Sequence, residues 1–536
     1  MKRKIISWLA VLVLFCMALP VYAAGAEAPA GTGSHAVKGK ILFVPHDNRP
    51  ISDAETADTV RRLGYEVVVP PDGLLGGRSD PGHPDELWQW VEANAPGADA
   101  VVFSSDAMVY GSLVASRKHS FSQEEVMQRS DRFAQFRREH PALRTYAFGS
   151  IMRTPRSAEA ASAEPDYYAQ YGSAIFRYTA LTDKQETEGL TGKEQKEYET
   201  LARTIPAEAL KDWMDRRQKN FAVSTHLIDM AQQGTFDYLV LGRDDNAPYS
   251  QTHMESRHLA QHGSAVGATN FQAMAGIDEI GMLLLARAVN DMNHTVPFIH
   301  VTYNKGMGAE TIPSYSDEAI SASIRSHTAA AGGMLVSSPD KADLVLFINT
   351  NPDGRTYEAN TAVNTSKPRS STKYFVDLVS QAVAHGYPVG IGDIAFANGA
   401  DNALMRMLQE RGLLFKIRAY AGWNTATNST GFVLGQGMLM PYMSDGDCDA
   451  LLAMRYLDDW AYQANLRGEL ATQLSWMRHG DGLYSTLGSQ QAAVAVRATD
   501  LMRQFAHHHL PPLAGLDSLL VDFPWNRMFE AKISFS

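Results

Sequence analysis

Tyr238-Leu239-Val240-Leu241-Gly242-Arg243-Asp244-Asp245-Asn246-Ala247-Pro248 runs from a continuous apolar segment straight into two acids, an amide and a proline. A short apolar run without alternation suits a strand covered on both faces, as in a parallel sheet. The same rhythm recurs along the chain, with apolar, β-branched runs at 41–44, 66–69, 100–103, 145–148, 297–301, 344–348, 389–391 and 416–419. Helical segments lie between them. Ser52-x-x-Glu55 and Ser122-x-x-Glu125 fit the capping box, in which each side chain satisfies a free amide of the first turn. Gly64 is a natural stop for the helix that follows Ser52. Strands alternating with helices imply right-handed βαβ units and an α/β class.

The number of strands suits a (β/α)-barrel-like parallel body with a C-terminal helical appendage, and this is the expected architecture. Two doubly wound lobes are the alternative. An internal echo points toward lobes: Gly64-Tyr65-Glu66-Val67 followed by Ala98-Asp99-Ala100-Val101-Val102-Phe103 resembles Gly333-Met334-Leu335-Val336 followed by Ala342-Asp343-Leu344-Val345-Leu346-Phe347. Residues 38–444 read as the α/β body. Within it, 157–233 is long, polar and helical in pattern, as an insertion would be. Residues 445–536 carry helical periodicity without a convincing strand.

The N-terminus reads as an export signal over residues 1–23. Lys2, Arg3 and Lys4 precede an apolar run over 5–19, and Val21-Tyr22-Ala23 offers a small-residue cleavage site. Residues 24–37 are Ala/Gly-rich, a flexible tether. The expected location is therefore secreted or extracytoplasmic. The apolar run is short for a span of about 20 residues, so the only membrane contact expected is an uncleaved N-terminal anchor. Cys16 would leave with the signal, and Cys448 alone cannot form an intramolecular disulfide. An exported chain without disulfides depends on its core, and 45% hydrophobic residues can supply one. The chain carries 48 basic and 59 acidic residues; without the three signal cations the balance is 45 − 59 = −14. Such an excess of acid excludes nucleic acid or anionic lipid bound through a general basic face.

Ligands of α/β folds sit beyond the carboxyl ends of the strands. There the sequence places Pro45-His46-Asp47-Asn48-Arg49-Pro50, Ser104-Ser105-Asp106, Arg117, Arg153, Asp244-Asp245, Asn349-Thr350-Asn351, Asp393 and Gly422-Trp423-Asn424. One acid after a strand is an ordinary helix cap. Two adjacent carboxylates repel, which pushes one proton affinity up and the other down. That division gives one proton donor and one fixed anion, as glycosidases require, so Asp244 and Asp245 are the candidate catalytic pair. The structural reading of the same pair has Asp244 bound to Arg243 or Arg49 and Asp245 capping the helix after Pro248. Asp47 and Arg49 could clamp a hydroxyl or form a buried ion pair. Asp106, Asp393, Trp423 and Asn424 complete the candidate binding set, since an indole stacks on a sugar face and amides bind hydroxyls. The acids of Gly276-Ile277-Asp278-Glu279 open an almost wholly apolar helix and read as dipole complements. His253-x-Glu255-x-x-His258 matches no metal motif, and there is no His-Glu-x-x-His, Walker loop or Gly-x-Ser-x-Gly. No cofactor or resident metal is expected.

Four long segments carry a resemblance. Pro45-His46-Asp47-Asn48-Arg49-Pro50, the stretch from Ser105-Asp106 through Tyr110-Gly111 to Arg117, Gly242-Arg243-Asp244-Asp245-Asn246-Ala247-Pro248, and Ala421-Gly422-Trp423-Asn424-Thr425-Ala426-Thr427-Asn428-Ser429 resemble a bacterial family known as domain of unknown function 4127. That resemblance spans nearly all of the chain beyond its signal and implies no activity. The layout of Asp244-Asp245, Asp393 and Asn424 is similar to that of family 84 glycoside hydrolases, barrel enzymes that use the substrate's acetamide as nucleophile. The likeness implies that Asp244 orients the acetamide and Asp245 is the general acid. The Trp-Asp-Asn pattern of that family is absent here. The expected function is an exported glycoside hydrolase acting on a cell-wall or exopolysaccharide sugar, N-acetylated sugars included. The alternatives are a metal-dependent hydrolase with Asp47, Asp106 and Asp244 as ligands, and a non-catalytic two-lobed carbohydrate-binding protein.

Overall fold

The computed structural model describes residues 37–156, 163–474 and 486–535. The expected signal peptide, nearly all of the tether and residues 157–162 at the start of the expected insertion lie outside the described residues.

The chain is α/β. Strands β1 (Lys40–Val44), β2 (Glu66–Val68), β3 (Ala100–Ser104), β4 (Arg144–Ile151), β5 (Tyr238–Arg243) and β6 (Phe271–Ala275) form a parallel six-stranded sheet in the order β2-β1-β3-β4-β5-β6. Next come β7 (Phe298–Tyr303), β8 (Met334–Leu335), β9 (Leu344–Asn349), β10 (Tyr357–Glu358), β11 (Val389–Asp393), β12 (Phe396–Ala397) and β13 (Ala419–Ala421). Five of them form a second parallel sheet, ordered β13-β11-β9-β7-β8, and β10 pairs with β12. All nine apolar runs of the sequence fall on strands, the last overlapping β13 only at Ala419. The strand β6 was missed, because Phe-Gln-Ala-Met-Ala carries no β-branched residue.

The barrel expectation is corrected: the strands lie in two open sheets with edges at β2 and β6 and at β13 and β8, the doubly wound alternative. Helix Ile280–Asn293 explains why. It leaves β6 and lies against β3 and β4 rather than leading to a strand beside β6. Its other side packs on helix Ala426–Gly437, which covers β11 and β13 of the second sheet. Both helices are buried over most or all of their length because a layer lies on each side of them. One hydrophobic core, including Phe43, Phe148, Leu284, Val433 and Leu346, therefore serves both sheets. The sequence echo has a topological counterpart: β2 and β3 flank β1 as β8 and β9 flank β7.

Two capping boxes were expected and one forms. Ser122 and Glu125 make the reciprocal bonds at the start of helix Gln123–Glu139. Ser52 instead bonds His46 Nε2 at 3.0 Å, and Glu55 pairs with Arg455, so the helix Ala54–Arg61 begins without a side-chain cap. Long-range partners outcompete a cap worth about 1 kcal/mol. Between β4 and β5 stand helices Tyr168–Thr187, Gly192–Thr204 and Ala207–Gln232. The C-terminal region is helical through Gln491–His509, but it also carries an antiparallel pair, β14 (Leu519–Asp522) and β15 (Lys532–Phe535), where no strand was expected. The strand β14 alternates buried and exposed residues over too short a run to stand out in sequence. No helix among the described residues is long and apolar enough to cross a membrane.

Candidate active site

Loops from both sheets and from the C-terminal hairpin meet around one polar cavity of about 150 Å³. Arg49, in the loop after β1, is its hub. The Arg49 Nε donates to Asp47 at 2.9 and 3.1 Å, and its Nη1 and Nη2 donate to Asp278 at 3.2 and 2.7 Å. This planar fork is geometry that only arginine supplies. His46 Nε2 lies 3.2 Å from Asp278 and 2.9 Å from Arg49 Nη2. Asn424 Nδ2, following β13, donates to Asp278 at 3.1 Å, so the second sheet reaches the same carboxylate. Burial favours the neutral form of Asp278, but Arg49 and His46 outweigh it and hold the carboxyl far below its usual range. Burial also works against the His46 imidazolium, yet Asp47 and Asp278 leave its pKa raised.

The turn that delivers Asp278 depends on Gly276. Its φ is +98°, and a Cβ there would meet Glu279 Oε1 at 1.9 Å.

Asp244 and Asp245 both line the cavity, each gripped by a different arginine. Arg117 binds Asp244, and Arg153 Nη1 binds Asp245 at 2.6 Å. Buried Glu164 joins the two arginines, 2.7 Å from Arg153 Nε and 3.9 Å from Arg117 Nη1. The partners foreseen in the structural reading are thus replaced: Arg243 binds Asp317 and Glu318, and Ser250 caps the next helix. The pair is unequally placed, with side-chain exposure of 12% for Asp244 and 24% for Asp245. Burial, reinforced by Asp245, raises the Asp244 pKa against the pull of Arg117 and Arg153. Asp245 sits at φ +37°, where Asp is tolerated better than most L residues.

Of the residues singled out in sequence, Asp47, Arg49, Asp244, Asp245 and Asn424 line this cavity. Asp106, Asp393 and Trp423 do not. Asp106 accepts the backbone N and Oγ of Ser150 at 2.7 and 2.8 Å, joining the ends of β3 and β4, and burial raises it to about 6. Asp393 is enclosed in the second sheet by Asn349, Tyr420 and the Asp401 amide at 2.7–2.9 Å. Trp423 is buried against Phe529, with ring centroids 5.8 Å apart. Asn428, in the helix after Asn424, accepts the Ile277 amide at 3.3 Å.

Sequence reading passed over Asp278 as a dipole complement, and nothing in the helical C-terminal pattern announced Trp525, Arg527 and Phe529, which form a wall of the cavity. The Trp525 ring lies under the Arg49 guanidinium at 5.3 Å and donates to Asn48 at 2.7 Å. Tyr315 and Asn398 come from loops of the second sheet.

The metal trio is not assembled: among the described residues, the acid and imidazole donors that cluster closely enough for an ion are those of Glu92, Glu139 and His140, elsewhere on the protein. His253, Glu255 and His258 are engaged by Asp183, Arg217 and Glu186, tying their helix to the helices between β4 and β5. A larger, mostly apolar cavity lies elsewhere and is lined by none of the residues that line this one.

This chain belongs to the family described as protein of unknown function, DUF4127, whose pattern matches residues 41–534. No curated protein matches it.

Proposed function

We propose that this protein is an exported glycoside hydrolase acting on a cell-wall or exopolysaccharide sugar, N-acetylated sugars included. The observation that carries the reading is the unequal Asp244–Asp245 pair at one polar cavity, each acid held by its own arginine. Asp244, whose burial favours the proton, is the donor to the departing glycosidic oxygen. The more exposed Asp245 is the carboxylate that faces the anomeric centre or a participating acetamide. This order reverses the roles implied by the resemblance to family 84 enzymes, and desolvation is the reason.

Charge balance supports a neutral polyhydroxylated ligand. Asp47, Asp244, Asp245 and Asp278 line the cavity opposite Arg49, Arg117, Arg153 and Arg527, so neither sign prevails. Paired acceptors and donors of this kind suit hydroxyls, and Trp525 and Phe529 offer aromatic surface. About 150 Å³ is small beside the roughly 300–1,000 Å³ of drug-sized ligand sites, which suits one sugar residue at a time.

The two-lobed binding-protein reading keeps one supporting observation, that loops of two doubly wound sheets share the cavity. Against it, helices Ile280–Asn293 and Ala426–Gly437 weld the sheets through a common core.

The test is incubation of the purified protein with aryl glycosides and bacterial polysaccharides, with and without chelator, following released sugar. Release that survives chelator and is lost in Asp244→Asn and Asp245→Asn supports the proposal. Binding without release by the natural protein would move the assignment to the carbohydrate-binding reading.

A further inference from the structure

A cavity several times the volume of the candidate active site lies between helices Ala54–Arg61, Ala426–Gly437 and Asp445–Arg455, with residues 511–514 and β15 on its remaining side. Its volume is about 690 Å³, within the range of small-molecule sites. Phe415, Phe432, Leu451, Met454, Leu513 and Ile533 give it an apolar wall.

We propose that this cavity is a binding site for a neutral amphiphile, with an apolar chain or ring system against that wall and a hydroxyl or amide head directed at Glu55 and Arg455. Three arguments support the class. First, the charged residues of the lining balance: Glu55, Asp58 and Asp449 stand beside Arg61, Arg62 and Arg455, so a strongly charged ligand gains nothing overall. Second, Glu55 and Arg455 are the deepest of these, with side-chain exposure of 13% and 2%. They form an ion pair that can accept from and donate to a polar head. Third, the space is enclosed by helices and a strand on several sides, which suits a small molecule better than a folded partner.

The site does not depend on the sugar reading. It touches the candidate active site through one chain of bonds. Arg455 pairs with Glu55 and bonds Asp459 at 2.9 Å, and Asp459 accepts the Gly422 amide at 2.7 Å, just before Trp423 and Asn424.

The experiment is calorimetric titration of the purified protein with 1-alkanols from hexanol to dodecanol. Affinity should rise about fourfold per methylene and level off once the chain outgrows the cavity. Ala450→Trp, at an exposed lining position, should weaken binding at least tenfold without moving the melting temperature. Met454→Trp is a second blocking variant, should the first perturb the helix. No saturable binding by any alkanol overturns the proposal, as does equal binding by a folded blocking variant.

Discussion

Arg49 places both terminal nitrogens on the two oxygens of Asp278, 229 residues away in sequence. The bond joins the loop after β1 to the start of the helix shared by both sheets, and Asn424 adds the second sheet to the same carboxylate. Arg49 and Asp278 are each less than a tenth exposed. The pair is thus both a wall of the cavity and a tie between the parts that shape it.

Breaking that pair should be costly. Arg49→Met leaves the Asp278 carboxylate buried with only His46 and the Asn424 amide as partners and should reduce the unfolding free energy by about 3–5 kcal/mol. The double variant Arg49→Met/Asp278→Leu should recover part of the loss. Urea unfolding of the three proteins checks this; an unchanged midpoint in Arg49→Met would deny the pair a structural role.

Arg117 acts on the proposed chemistry through Asp244. Its charge pulls the raised Asp244 pKa downward. In Arg117→Gln that pull is gone, so the alkaline limb of the kcat/KM profile, set by a donor that must be protonated, should move to higher pH. The pH dependence of aryl glycoside cleavage reads it. A fall in rate with no movement of the limb would leave Arg117 a purely structural partner.

Stability should fall as pH rises from about 4 to 7. Burial raises Asp53 and Asp393 to about 7 and Asp106 to about 6, from the usual aspartate value of 3.8. Over that window the folded state holds protons the unfolded chain has released, so each group contributes stability at low pH that is lost as pH climbs through its folded pKa. The largest slope per group is about 1.4 kcal/mol per pH unit. Asp278 is depressed instead, and its contribution is fully present throughout this range. Unfolding at pH 5 and pH 7 should therefore favour pH 5, and Asp393→Asn should shrink the difference. A positive slope would contradict the buried, protonated state of these carboxyls.

Trp525 should matter for binding more than for turnover. It supplies aromatic surface beside Arg49 but bears no proton-transfer group. Trp525→Ala should raise KM about tenfold or more with a smaller change in kcat, in the manner of buried aromatic anchors. Trp525→Phe keeps the surface, loses the bond to Asn48 and should cost about 1 kcal/mol of stability. Initial-rate kinetics separate the effects; a fall in kcat alone would remove Trp525 from the binding surface.

The amino-acid sequence by itself determined where nine of the strands lie and that they alternate with helices, because burial on both faces is written locally as continuous apolar runs such as 238–241. It also brought Asp47, Arg49, Asp244, Asp245 and Asn424 to the ends of strands, where α/β folds place their ligands. Tertiary structure decided the rest. Whether the strands close into a barrel or open into two sheets turns on where the helix after β6 finds its apolar partners, a contact between residues far apart. The same holds for side chains. Ser52 forsakes a local cap for His46, Asp106 turns to Ser150, and Asp278 becomes the centre of the site once Arg49 arrives from the other end of the sheet's core. A charge buried in a protein must find a partner, and that partner is fixed by the packing of distant segments, not by spacing along the chain.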